Sequence, residues 1–326
     1  MQSYEQNATI LRSSFLGNGA RLGGAIYKTE ALLEIRESTF SGNGSAEDGG
    51  AIHTFGNVLA GVFDSSIDAN SALRDGGGVF ARGLLVLENT TFSGNTASAG
   101  GAVRMFGGEM QIKRVTMRDN TAQIEGGAIS ALTNSASFFG INPDIQHLTT
   151  HNNTVTAGSG GDIALSATSA IPGKIENTTL MGASASSGGS SIHLANNVRL
   201  DSLRSLIWAR AGTTCFTTAG ASINSLGSNI GALGCSLNDP TDAISSTFAG
   251  FGLGELANYG GPVDVYLPMP GSAAIDRGGE SCSFDARNKP APVDGDGNGS
   301  VLCDAGAAER QLIELPPALF RDGFES

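Results

Sequence analysis

A right-handed parallel β-helix is the fold this sequence predicts, on three observations. A unit of about 25 residues recurs along the chain. Within each unit, apolar and polar residues alternate at the period of a strand. Glycine, at 47 of 326 residues, has about twice its usual share, so the backbone needs many tight positions.

Two short patterns carry the repeat. The first is a glycine pair, a small residue, then Ile or Val, beginning at Gly23, Gly49, Gly76, Gly100 and Gly126, with degenerate copies at Gly160 and Gly188. The second is an apolar residue three positions before an asparagine: Phe15 to Asn18, Phe40 to Asn43, Ile67 to Asn70, Phe92 to Asn95 and Met117 to Asn120. Five residues before each of these apolar anchors stands another, namely Ile10, Ile35, Val62, Leu87 and Ile112, and in three copies Leu33, Leu85 or Met110 lies two residues earlier still. That spacing makes strands with one apolar face, and small variations in unit length fall in the turns.

One such unit cannot bury its own apolar face, so the expected solution is a stack of coils at about 4.8 Å. Each glycine pair marks a bend where a Cβ would strike the next coil or demand an unfavourable φ. The asparagine is expected to adopt the left-handed conformation and to hydrogen-bond to its counterpart one coil away. Phe15, Phe40, Ile67, Phe92 and Met117 should form an internal stack. A leucine-rich horseshoe lacks the Leu-x-x-Leu-x-Leu framework it would need.

The pairing of GGA[IV] with FxxN resembles the repeat of polymorphic outer-membrane proteins, over residues 8 to 195. The resemblance implies a β-helical bacterial surface protein associated with adhesion. Between Ser130 and Ser159 the pattern is interrupted by NSASFFGINPD, read as a loop that lengthens one coil.

After about Thr213 the repeat is lost. The order Asn258 to Pro262, Pro270 to Asp276, Asp285 to Arg287 and Asp304 to Glu309 resembles the choice-of-anchor Q domain, although Tyr259 replaces that family's usual Asn-Gly run. This implies a secreted or surface protein and no particular reaction. The expected division is 1–213 for the β-helix, 214–310 for a loop-rich C-terminal cap and 311–326 for a tail. Asp276, Asp285, Arg287, Asp304 and Glu309 are read as buried hydrogen-bonding staples, since buried charge is tolerated when paired. The tail ending FRDGFES resembles a terminal segment of secreted proteins in some gammaproteobacteria, implying sorting or anchoring; an ordinary frayed end is the alternative.

The net charge of −12, with few and scattered basic residues, argues against nucleic acid. No run of about 18 apolar residues could span a bilayer, and MQSYEQNATI has neither the basic nor the apolar part of a signal peptide. A segment carrying any such signal is expected to have been removed from the N-terminus. Cys215, Cys235, Cys282 and Cys303 are expected to form two local disulfides, in an oxidising compartment outside the cytoplasm. Reduced structural thiols are the alternative.

Chemistry is harder to place. A β-helical polysaccharide lyase or hydrolase would need clustered carboxylates, and the nearest are Asp64, Asp68 and Asp75 with Arg82 and Arg104. None recurs beside a second acid or a histidine one coil away. His147 and His151 read as loop residues. Asp294, Asp296 and Asn298 open a calcium-type loop with Gly299 at its turn, but Ala305 takes the place of the closing Glu; Asp304 is the remaining candidate ligand, and an acidic glycine-rich turn is the alternative. A row after the glycine bends, Tyr27, His53, Phe80 and Arg104, with Phe55, Arg82 and Phe106 two residues on, offers a ridge for sugar rings or a protein partner, unless another segment covers it. The resulting expectation is a monomeric secreted or surface protein, without catalysis, that binds glycan or protein through its coil faces. A polysaccharide-cleaving enzyme and a passive stalk are the alternatives.

Overall fold

The computed structural model describes residues 2–4, 6–133, 141–168 and 171–313. Almost every strand pairs in parallel with its counterpart one coil away, giving a β-solenoid whose core runs along the axis. Each regular coil has one long strand, such as Ile26–Arg36 or Ile52–Phe63, and two short ones, such as Thr39–Ser41 and Gly44–Ser45.

Three left-handed corners close each coil. The first is occupied in turn by Arg12, Glu37, Asp64, Asn89, Arg114, His147, Asn177 and Arg204, all with φ between 47° and 54°. The second falls on Gly17, Gly42, Ala69, Gly94, Asp119 and Asn152, one residue before the ladder asparagine, and the third on Gly23, Gly49, Gly76, Gly100, Gly126, Gly160 and Gly189. The asparagine is therefore not the left-handed residue that the sequence suggested. The preceding residue takes that strain, which leaves the asparagine amide free to face the stack.

The asparagine ladder itself is continuous. Asn43 Nδ2 donates to Asn70 Oδ1 at 2.9 Å and to the Phe15 carbonyl at 2.9 Å, and the same pattern links Asn70, Asn95, Asn120 and Asn153. Beside it, Phe15 and Phe40 stack with centroids 4.8 Å apart, and Phe40, Ile67, Phe92 and Met117 are fully buried. The glycine pair divides its work between two constraints: Gly49 sits at φ +67°, whereas a Cβ on Gly50 would lie 2.0 Å from the Gly77 carbonyl oxygen.

Parallel pairing outlasts the sequence pattern and continues through Ala243–Ile244. Cys215 occupies the position held by Ile192 in the preceding coil, and the pairs Cys215–Cys235 and Cys282–Cys303 are both formed. The part of the interruption in NSASFFGINPD that spans 134–140 lies outside the described residues, as does the tail from 314 on. Its last four residues are strand rather than loop: Ile141–His151 pairs with the preceding coil, and Pro143 takes the inward position of Met110. His147 and His151 belong to this same strand, because the corner, not a loop, turns the chain at His147.

Beyond the last rung the chain turns back along the flank of the coils. An antiparallel pair, Leu253–Ala257 with Val265–Pro268, packs there. Thr116 Oγ1 donates to the Asp264 carbonyl at 2.6 Å, the Ala307 amide to Thr179 Oγ1 at 2.9 Å, and the Gly306 amide to the Arg204 carbonyl at 2.7 Å. Within this segment Asp285 and Arg287 form a buried pair at 2.7 Å, while Glu309 accepts the amides of Val293 and Asp304. Asp304 in turn accepts the amides of Asp276 and Arg310.

Candidate functional site

The row after the glycine bends is in register across coils, from Tyr27 to His53, Phe80, Arg104 and Ser130. Its rings stack, with 5.2 Å between Tyr27 and His53 and 4.7 Å between His53 and Phe80. This row is not the exposed ridge the alternation suggested. His53, Phe80 and Arg104 are buried, because a coil spacing that suits the backbone also closes one ring over the next, and the His53 Cβ packs against the bend at Gly49. Burial lowers the His53 pKa to about 4. Arg104 is held by Glu125 and Ser130.

The second row is more open. Phe55 is 44% exposed, and the Arg82 guanidinium lies 5.0 Å from its ring centroid and 6.0 Å from that of Phe106 on the opposite neighbour. An arginine held between two rings presents a rigid, amphipathic surface. Sequence reasoning missed the far end of the first row, where His193 and Phe216 stack at 5.7 Å and Phe216 is exposed. The degenerate bend before His193 was the available signal; Phe216 was hidden because a cysteine replaces the usual Ile before it.

Asp64, Asp68 and Asp75 do not come together. Each stands at or beside a different corner of one coil. Asp64 accepts from Asn89 at 2.8 Å; Asp68 accepts from Ser66 and Ser93, both at 2.6 Å. Asp75, beside the glycine bend, has its pKa raised by burial.

In the acidic turn, Asp294 and Asp296 group with Asp276, not with Asp304: ligand atoms of the first three lie within 4.8 Å of one another. Asp304 is engaged with the Asp276 and Arg310 amides, and Asn298 Nδ2 donates to Asp296 at 3.0 Å. The turn's own amides, from Gly297, Asn298 and Gly299, already satisfy much of Asp294, whereas Asp276 Oδ2 is buried without a hydrogen-bond partner among the described residues.

The repeat of the Chlamydia polymorphic membrane protein family matches residues 37–54 and 89–104. Both stretches contain a ladder asparagine and the glycine bend that follows it, so the match falls on the parts of the coil that fix its geometry. No curated protein and no solved structure matches the chain.

Proposed function

We propose that this chain is a secreted or cell-surface binding protein without chemistry of its own, which holds a glycan or a protein partner on the coil face carrying Phe55, Arg82 and Phe106. The observation that carries this reading is the Arg82 guanidinium held between two rings of adjacent coils, one of them 44% exposed. The repeat match and two disulfides support a surface or extracellular setting, and among the described residues no helix is long and apolar enough to cross a membrane. Residues 214–310 are proposed to be a choice-of-anchor Q type module, supported by the Asp285–Arg287 pair and the Glu309–Asp304 bonds.

The test is binding of the purified chain to a glycan array and to bacterial and host cell surfaces, with Phe55→Ala/Phe106→Ala as control. Binding lost in the variant supports the reading. Binding unaltered by the variant rejects the site, and no binding at all leaves a passive stalk. Release of new reducing ends or unsaturated products would instead favour the enzyme alternative, which three carboxylates at three corners do not support.

Calcium is proposed as the ion of the acidic turn, with Asp276, Asp294 and Asp296 as ligands. Hard carboxylate oxygens suit it, and Asp276 Oδ2 supplies an unused one. A melting temperature that is the same in calcium and in chelator would reject it.

A further inference from the structure

The first corner forms a polar column that the coil face does not use. Its side chains link along the axis: Asn89 Nδ2 donates to Asp64, Arg114 Nε to Asn89 Oδ1 and Arg204 Nε to Asn177 Oδ1, each at 2.8 Å. Where the C-terminal segment returns along the flank, Ser281 to Phe284 stand opposite this column. Between the two walls is a cleft of about 240 Å³, from Arg114 on one side to Arg204 on the other.

The cleft concentrates positive charge on a chain whose net charge is −12. Arg114 is fixed by Glu88 and Asn89, and Arg204 by Glu176, Asn177 and the Ser281 carbonyl. Each of these arginines keeps its Nη1 without a partner among the described residues, so a donor group remains on an immobilised fork. Lys113, beside them, forms no ion pair among the described residues. Glu176 is the only carboxylate on the cleft wall among the described residues.

The rest of the wall is largely polar, with Asn177 offering an amide and Gln146 an amide oxygen, its Nε2 donating to Asp144 at 3.0 Å. The rim carries Phe284, 51% exposed. Amides match vicinal hydroxyls, and an exposed ring matches the C–H face of a sugar. Arg114 and Arg204 are three coils apart, a span of about 14 Å at the usual strand spacing. From these features we infer that the cleft binds a short uronic-acid oligosaccharide, lying along the axis with its carboxylates on the arginines and Lys113. The site is independent of the coil-face reading and shares no residue with it.

The experiment is titration calorimetry with trimers of galacturonate, glucuronate and mannuronate, their methyl esters, and a glutamate tripeptide of equal charge. It uses the whole chain, Lys113→Glu, Phe284→Ala and Phe55→Ala/Phe106→Ala, each first checked for an unchanged melting temperature. At least one acid trimer should bind. Its ester and the two cleft variants should each bind about tenfold more weakly or worse, with binding reduced by salt, while Phe55→Ala/Phe106→Ala is unaffected. Failure of all three acid trimers to bind would overturn the inference. So would esters or the tripeptide binding as well as the acids, or a loss caused by the coil-face variant and not by the cleft variants.

Discussion

Asp162 Oδ1 accepts the side-chain amide of Asn153 at 3.0 Å, in the place where each earlier coil supplies the next asparagine of the ladder. The residue fills the small position of a degenerate glycine bend and ends the ladder with a carboxylate. Its other oxygen accepts from Ser191 at 3.0 Å. Full burial outweighs these bonds and raises its pKa to about 7.

Asp162→Ala should therefore destabilise the protein by about 2–4 kcal/mol, since it leaves one N–H of the buried Asn153 amide unpaired, deprives the Ser191 hydroxyl of its shorter bond and opens a void. Asp162→Asn keeps an acceptor for Asn153 and should be close to neutral near pH 7. Denaturant unfolding of both variants checks this, and equal losses would mean that the carboxylate itself, not its acceptor role, is needed.

Stability should fall as pH rises from about 6.5 to 8. Asp162 has a folded-state pKa above its unfolded value, so its contribution is complete below about pH 4 and is lost as pH rises through about 7. Asp304 and Glu309, whose pKa values are raised by burial, act in the same direction. His53 and His147, both lowered to about 4 by burial, act oppositely: their contribution is present above about pH 6.5 and lost as pH falls toward 4. Between pH 4 and 6.5 the two histidines offset two of the three acids and leave a shallow fall, and above about 6.5 the acids act alone and the fall steepens until Asp304, at about 8, has ionised. Melting temperatures across this range test the shape, and Asp162→Asn should flatten the alkaline limb.

Asn95→Ala should cost about 2–4 kcal/mol, because it leaves the Asn70 amide groups and the Ile67 carbonyl unsatisfied in a buried setting. Asn18→Ala, at the exposed end of the same ladder, should cost less than half as much. Chemical denaturation of the two variants side by side gives the comparison.

Gly50→Ala should prevent stable folding, since its Cβ would meet the Gly77 carbonyl oxygen at 2.0 Å. Gly42→Ala places a Cβ in open space at φ +65° and should cost only about 1–2 kcal/mol. Soluble yield and circular dichroism separate the two outcomes.

The coil was legible in the sequence because its constraints recur: Phe40 and Gly50 each have counterparts at fixed spacing, and both do what that spacing implied. The corner that holds Arg114, His147 and Arg204 was not legible. Its residues share only a backbone conformation, with no common residue type, and asparagine, aspartate, arginine and histidine all occur there. The burial of His53 and Phe80 was hidden for a related reason, since alternation gives the side of a strand but not whether the next ring closes over it. Asp276 joined Asp294 and Asp296 through tertiary folding alone, across a gap that no local motif spans.

The bond from the Asn120 amide to Asn153 Oδ1 is 3.0 Å long although 33 residues separate the two, and the Asn70 to Asn95 bond has the same length across 25. The molecule thus counts corners, not residues. A coil can carry a longer excursion between two corners while its neighbours keep their register. Length added there is paid in local chain entropy alone, so such a coil is a natural place to insert a foreign peptide for display without rebuilding the scaffold.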